Sequence, residues 1–378
     1  MDCSRSPALK RNWADLDEGP AGMIADRVLA YDVAGYLRFR AVCRAWRRCS
    51  AEPRAHRSLD RRFHPRRWVL LLEELATPNR RRLLNTSTGE FVQVDLPELH
   101  DHDVLGVTAE GLLVLVDAHQ PRATVHLLNP LTRHLTSLPP LTTLLPKKAY
   151  DLLSDTTFDH YFEAWGSGIL DDDSTVVLSF HKLGIFGMAK PGDACWTPVL
   201  RGVTVKPSSL VFLGRFYCVT HLGVLMVLKN QPPRLEVAAK LPTGLPPAGS
   251  VHLVENAGEL MLVHRRSSQG FKEKRYDVYR VDLDAGNLCR VNSFGGGCAG
   301  GHHALFIGMH FSLSVPIGVF SSGSLSGDTI YPGSGYTEGD YIKAYHVGDK
   351  STTYVASRST AQPHTLVDCL SLCTTGHP

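Results

Sequence analysis

Short apolar segments recur along most of the chain, and they are separated by stretches that contain Gly, Pro, Asn and Asp. They form about six groups of three or four segments, and the groups follow one another at intervals of about 40 to 50 residues. Segments of this length with turn residues at both ends predict β-strands. The groups cover residues 68–96, 104–138, 176–200, 210–241, 251–293 and 304–355.

Each predicted group would form a small sheet with two apolar faces, and such faces are stable only when neighbouring sheets cover them. Repetition that closes into a ring covers every face, and the interval matches the length of a propeller blade. The sequence therefore predicts a mainly β protein with a β-propeller of about six blades. A β-sandwich is the alternative architecture, because short strands with regular turns suit it as well.

Before Trp68 the apolar residues follow a helical period, which predicts short helices with one apolar face each. Residues with this spacing are Ile24, Val28, Leu29, Leu37, Ala41, Val42 and Trp46. Asp32 is placed to cap the second helix, Pro20 is expected to open the first, and Pro53 prevents a long extension of the third. About 40 residues cannot bury enough surface to be stable alone. A partner or the rest of the chain must therefore cover these faces.

The change of period divides the chain into four parts. We predict a helical segment at residues 13–52, a basic linker at 53–67, the propeller at 68–356 and a C-terminal tail at 357–378.

Positive charge is concentrated around the linker. The whole chain of 378 residues has a net charge of +3, but residues 38–67 hold eleven Arg against Glu52 and Asp60, a net +9, which leaves −6 for the remainder. Nucleic-acid modules usually interleave such charge with stacking aromatic residues, and few aromatic residues occur here. We interpret Arg38, Arg44, Arg47 and Arg48 as a basic rim that meets an acidic protein, and we predict no nucleic-acid binding.

The helical segment contains two sets of residues at characteristic spacing. The later set is Phe39, Arg40, Val42, Cys43, Arg44, Trp46 and Arg47, and the earlier set is Trp13, Asp15, Leu16, Ile24, Ala25 and Leu29. They resemble the closing and the opening signature of the F-box, a motif that docks on a Skp-type adaptor. Asp17 replaces the family's proline, and Pro20 and Ala21 replace its leucine pair. The resemblance implies that the adaptor contacts Leu16, Ile24, Val28, Leu29, Val42 and Trp46.

Three features stand out in the chain from Arg62 onward: Arg66-Arg67-Trp68, the Asn129-Pro130-Leu131-Thr132-Arg133 turn, and Asp328-Thr329-Ile330-Tyr331 near the end. In these features this part of the chain resembles plant F-box proteins with a KIB-type propeller. The resemblance implies a substrate-recognition subunit of a Skp-cullin-F-box ubiquitin ligase, whose propeller binds an unidentified target protein. Two alternatives remain: a propeller scaffold that does not bind the adaptor, and an enzyme with a site at the propeller mouth.

The His, Asp and Ser residues that could bind a metal or act in catalysis do not form a recognisable site within any short stretch of sequence. In a strand, the His residues of His100-Asp101-His102-Asp103 share one face and the Asp residues the other, so each face offers two ligands, fewer than zinc needs. We interpret this run as a loop, and Asp171-Asp172-Asp173 as a hairpin turn and not a calcium site. Leu325 occupies the nucleophile position of a would-be G-x-S-x-G motif. We therefore predict no catalytic residues, no cofactor and no metal.

The first residues lack a secretory signal, and no apolar run reaches the length of a membrane span. Nine cysteines at irregular spacings are typical of reduced thiols. We expect a protein of the cytoplasm or nucleus that does not bind membranes and is monomeric apart from its complex.

Overall fold

The computed structural model describes residues 13, 16–55, 59–71, 79–117, 124–145, 162, 164–170, 174–180, 182–200, 205–220, 223–240, 248–266, 275–295, 302–308, 311–321, 323–333, 341–357 and 366–373. Asp171-Asp172-Asp173 lies outside these residues. Among these residues, the α-helices are α1 (Glu18–Tyr31), α2 (Val33–Val42), α3 (Arg44–Arg48) and, after the strands, α4 (Leu366–Cys373).

The strands form six separate sheets, which are the six blades. Blade 1 contains β1 (Trp68–Leu71), β2 (Arg80–Asn85) and β3 (Phe91–Asp95). Blade 2 contains β4 (His102–Val107), β5 (Leu113–Asp117), β6 (Thr124–Asn129) and β7 (His134–Pro140). Blade 3 contains β8 (Ala164–Ile169), β9 (Val176–Phe180), β10 (Ile185–Ala189) and β11 (Thr197–Leu200).

The second half of the chain repeats this arrangement. Blade 4 contains β12 (Val205–Phe212), β13 (Arg215–Thr220), β14 (Val224–Asn230) and β15 (Pro233–Lys240). Blade 5 contains β16 (Ala248–Asn256), β17 (Glu259–Arg266), β18 (Arg275–Asp282) and β19 (Asn287–Val291). Blade 6 contains β20 (His303–Ile307), β21 (Ser312–Pro316), β22 (Thr329–Pro332), β23 (Tyr341–His346) and β24 (Thr352–Ser357).

Six apolar clusters hold the blades together, and each cluster combines side chains of two successive blades. Leu70 of blade 1, for example, shares a cluster with Leu113 of blade 2. The last cluster joins Phe306 of blade 6 to Leu71 of blade 1, so the ring is closed. The prediction of a six-bladed propeller is confirmed, and the β-sandwich alternative is wrong.

Blade 6 departs from the expected pattern of three or four antiparallel strands. It has five strands in the order β21-β20-β22-β23-β24, and β20 runs parallel to β22. β21 therefore lies at the inner edge, where it packs against β16 of blade 5. The group predicted for blade 3, residues 176–200, began after β8 and so did not include it.

Burial explains the apolar runs of the middle strands. β5, β9 and β10 are buried on both faces, because neighbouring blades cover each side. β15 lies at the outer edge of blade 4 and is largely exposed. Continuous apolar sequence is thus the consequence of a strand in the middle of a stacked blade.

The helix boundaries correct one expectation and confirm another. The first helix begins at Glu18, so the prediction that Pro20 opens it was wrong: Pro20 lies in the first turn, where its missing N–H costs no helical hydrogen bond. Asp32 caps α2 as predicted, because its Oδ2 accepts a hydrogen bond of 2.8 Å from the Gly35 N–H.

Part of the segment assigned to a C-terminal tail is folded. α4 packs against β1 and three strands of blade 6, and Val367, Cys369 and Leu370 are buried in the cluster that joins blades 6 and 1. Cys369 is therefore a core residue of the ring closure.

Candidate functional site

The helical segment presents apolar side chains to solvent. Met23 is 64% exposed, Ile24 37% and Val42 62%, and we call these three residues the helical surface. Large apolar side chains at such exposure are costly unless something covers them. Trp13, 69% exposed, lies nearby because its carbonyl oxygen accepts a hydrogen bond from Trp46 Nε1.

The six residues expected to contact an adaptor have different environments. Ile24 and Val42 are exposed, whereas Leu16, Val28 and Trp46 are half-buried. The expectation for Leu29 needs correction, because this side chain is only 5% exposed and lies inside the helical core. Met23 was not among the six, although it directly precedes Ile24 on the same helix.

The core of the helical segment also contains a residue from the linker. Tyr36 and Phe39 of α2 pack with Leu29 of α1 and with Phe63, which belongs to a short 3-10 turn after α3. The Trp46 ring stacks on Phe39 at a centroid distance of 4.4 Å. These contacts bury one side of α1 and α2, whereas Met23, Ile24 and Val42 stay exposed.

Two hydrogen bonds anchor the helices to the propeller. Asp32 Oδ1 accepts a hydrogen bond of 2.7 Å from Trp68 Nε1 at the start of β1. Asn129, in the turn after β6, donates from Nδ2 to the Phe63 carbonyl at 2.7 Å, while its Oδ1 accepts from the N–H groups of Leu131 and Thr132. The Asn-Pro-Leu-Thr turn thus holds the linker in place.

The arginines of the basic stretch divide into paired and exposed groups. Arg40 is buried and binds the Ser50 and Ala51 carbonyls and the Glu52 carboxylate. Arg38 pairs with Glu90 beside β3, so this residue of the predicted basic rim is engaged within the chain. The side chains of Arg44 and Arg48 are exposed on α3.

A cavity of about 350 Å³, which we call the axial pocket, lies where loops of several blades meet the linker. Blades 2 to 5 each contribute to its wall, with Glu110, Ile169, Gly214 and Glu255 respectively. The linker contributes three basic or titratable side chains, those of Arg61, His64 and Arg66.

The axial pocket contains a buried carboxylate. Glu110 Oε1 accepts a hydrogen bond of 3.3 Å from the Ile169 N–H, while Oε2 has no hydrogen-bond partner among the residues that the structure describes. Burial raises the pKa of Glu110. Burial and the charges of Arg66 and Arg61 lower the pKa of the neighbouring His64 to about 4. The pocket therefore offers a hydrogen-bonding group without a partner beside permanent positive charge.

Six sheets closed into a ring, preceded by short helices that leave apolar side chains exposed, define a β-propeller protein. The chain belongs to the KIB1-4 beta-propeller family, whose model matches residues 83–349. No curated protein matches the chain by sequence.

Two solved structures are similar at low identity. A protein of unknown function from Bacteroides thetaiotaomicron is 12% identical over 72% of this chain and 63% of its own, with a TM-score of 0.34. A structure described as a gluconolactonase is 14% identical over 53% of this chain and 65% of its own, with a TM-score of 0.29. The chain thus spans less than two thirds of the length of either. Within its described residues, no helix is long and apolar enough to cross a membrane.

Proposed function

We propose that this chain is the substrate-recognition subunit of a Skp-cullin-F-box ubiquitin ligase, with the helices docking on the adaptor and the propeller binding a target protein. The observation that carries the proposal is the helical surface. Its side chains are exposed although the opposite side of the same helices is buried. The sequence resemblance of this segment to the F-box supplies the kind of partner, and membership of the propeller family is consistent with a role in protein interaction.

The exposed apolar area of the helical surface is large enough to contribute substantially to the free energy of adaptor binding. Fully burying one apolar side chain is worth roughly 1.5 to 3 kcal/mol, so three such residues supply several kcal/mol before association costs are subtracted. Leu16 and Trp46 are half-buried and add further area. Arg44 and Arg48, exposed on α3, attract an acidic partner to the same segment.

The target is assigned to the axial pocket. Loops of four blades and the linker converge there, and the unpaired oxygen of Glu110 gains a partner when a donor group of the target enters. Because Arg61 and His64 of the linker form one wall, the target would lie close to the helices.

Titration of the full chain with a purified Skp-type adaptor tests the docking. We expect Ile24→Asp and Val42→Asp each to weaken adaptor binding at least tenfold, because each places a charge in an apolar interface. Val237→Asp is the matched control, since Val237 is 55% exposed at the outer edge of blade 4 and should leave binding unchanged. Equal binding by all four proteins would contradict the proposed surface.

A second titration tests the divergent opening of the motif. Asp17 has a φ of −56°, which proline adopts without strain, so Asp17→Pro combined with Pro20→Leu restores the family pattern in part, with Ala21 left unchanged, at little structural cost. We expect tighter adaptor binding by this variant. If neither the native nor the restored chain binds, the protein is a propeller scaffold outside the ligase.

A further inference from the structure

Blade 2 brings together three side chains from three adjacent strands. His102 begins β4 and lies directly opposite Asp117 at the end of β5. His126 of β6 lies opposite Leu115, two residues before Asp117 and therefore on the same face of the sheet. All three side chains are more than four-fifths buried.

The distances between these groups match those between ligands of one ion. Asp117 Oδ1 lies 3.3 Å from His102 Nε2 and 3.0 Å from His126 Nε2. The three ligand atoms all lie within 4.8 Å of one another. Ligands placed tetrahedrally at about 2.0 to 2.1 Å from zinc are about 3.3 to 3.4 Å apart.

The outer nitrogen of each imidazole is occupied in the way that orients a metal ligand. His102 Nδ1 is 2.7 Å from the Glu98 carbonyl oxygen, which can only accept, so Nδ1 carries the hydrogen. In the neutral ring, the Nε2 lone pair of His102 then faces the Asp117 carboxylate 3.3 Å away, so a cation between the two would be bound by both groups. His126 Nδ1 is 3.2 Å from the Ser137 hydroxyl, which can accept its hydrogen and leave Nε2 free for the same ion.

We propose that His102, Asp117 and His126 form a binding site for a divalent transition-metal ion of the zinc type. Two imidazole nitrogens and one carboxylate oxygen occupy three positions, and water takes the fourth. Asp117 and His102 lie at the opposite end of the β4–β5 hairpin from Glu110, so the site is separate from the axial pocket. An ion bound there links three strands of blade 2. This proposal does not depend on the proposed role of the helices in adaptor docking.

Local spacing could not reveal this set of ligands. His100 and Asp103 flank His102 in sequence, but Asp103 points to the other face of β4 and His100 is exposed. The actual neighbours of His102 come from residues 15 and 24 positions later, which only the strand register brings close.

Calorimetric titration of the metal-free full chain with ZnCl₂ tests the site, and Co²⁺ absorption reports its coordination. We expect His102→Gln, Asp117→Asn and His126→Gln each to bind one equivalent of zinc fewer than the native chain. Ser137→Ala should retain the equivalent with affinity lower by about 10-fold or more, because it removes only the outer partner of His126. Far-UV circular dichroism establishes that each variant is folded.

His100→Gln and Asp103→Asn are the matched controls, and both should keep the native stoichiometry and the native cobalt spectrum. Zinc should also raise the melting temperature of the native chain and of both controls, but not that of Asp117→Asn. An unchanged number of equivalents in all three ligand variants would overturn the proposal. So would absence of zinc binding by the native chain.

Discussion

Asp32 connects two elements through its two carboxylate oxygens. One oxygen caps α2 at the Gly35 N–H, and the other accepts the indole N–H of Trp68, which is 3% exposed at the start of the propeller. Losing the cap costs about 1 kcal/mol, and leaving the indole N–H buried without a partner costs roughly 1 to 3 kcal/mol more.

We therefore expect Asp32→Ala to lower the free energy of unfolding by about 2 to 4 kcal/mol. Asp32→Asn retains an oxygen acceptor and should lose less. Urea denaturation followed by tryptophan fluorescence measures both. An Asp32→Ala variant as stable as the native chain would show that the two hydrogen bonds contribute little.

The role of an individual residue could be predicted where the group that it contacts is near in sequence. The cap at Asp32 follows from its position before an apolar helical repeat, whereas its second hydrogen bond, to Trp68, joins residues 36 positions apart. The burial of Leu29 was missed for the same reason, because Phe63 of the linker supplies part of its surroundings.

The turn between β4 and β5 supports the linker. Gly111 has a φ of +82°, and a Cβ atom there would lie 2.4 Å from the Pro65 carbonyl oxygen. Pro65 of the linker therefore lies very close to this turn, next to Glu110 of the axial pocket. Only glycine allows both the backbone conformation and the contact.

We expect Gly111→Ala to destabilise the protein by clearly more than the about 1 to 2 kcal/mol that a left-handed conformation alone costs. Gly192→Ala is the matched control, since Gly192 has a φ of +93° and nothing within 4 Å of its would-be Cβ. Urea denaturation of both variants provides the measurement. Equal losses would mean that the linker moves away from the turn without cost.

The sequence predicted strands well where their apolar residues form a continuous run. It predicted them less well where no such run is present. β9 and β10 are apolar because blades cover both of their faces. β8, with the sequence Ala-Trp-Gly-Ser-Gly-Ile, lacks such a run: Cβ atoms at Gly166 and Gly168 would collide with Ser209 and Val211 of β12. Gly166 and Gly168 of this inner strand are therefore required by the close packing of β8 against β12. A pattern of apolar residues in the sequence does not reveal such a requirement.

The charge of the molecule is unevenly distributed: its net charge is small, but one region is strongly basic. Residues 38–67 carry +9. Arg38 forms an ion pair with Glu90, Arg40 with Glu52 and Arg62 with Asp60. Arg44 and Arg48 are exposed on α3 and contribute to a long-range positive field.

If the helices dock on an acidic adaptor, Arg44→Glu with Arg48→Glu should slow association roughly three- to tenfold at low salt and reduce its salt dependence. Lys240→Glu, exposed at the end of β15, is the control and should have little effect. Stopped-flow measurements over a range of ionic strength give both rates. A double variant that instead abolishes submicromolar binding of DNA or RNA would show that the region serves nucleic acid.

The ring closure at α4 has a consequence for synthesis of the chain. Leu71 and Leu84 are made early, yet the cluster that covers them includes Val367, Cys369 and Leu370 of α4. At about 5 to 20 residues per second, the roughly 300 residues between Leu71 and α4 take about 15 to 60 s to translate. During that time the first blade has an uncovered apolar side. The nascent protein is therefore expected to depend on chaperones until α4 leaves the ribosome.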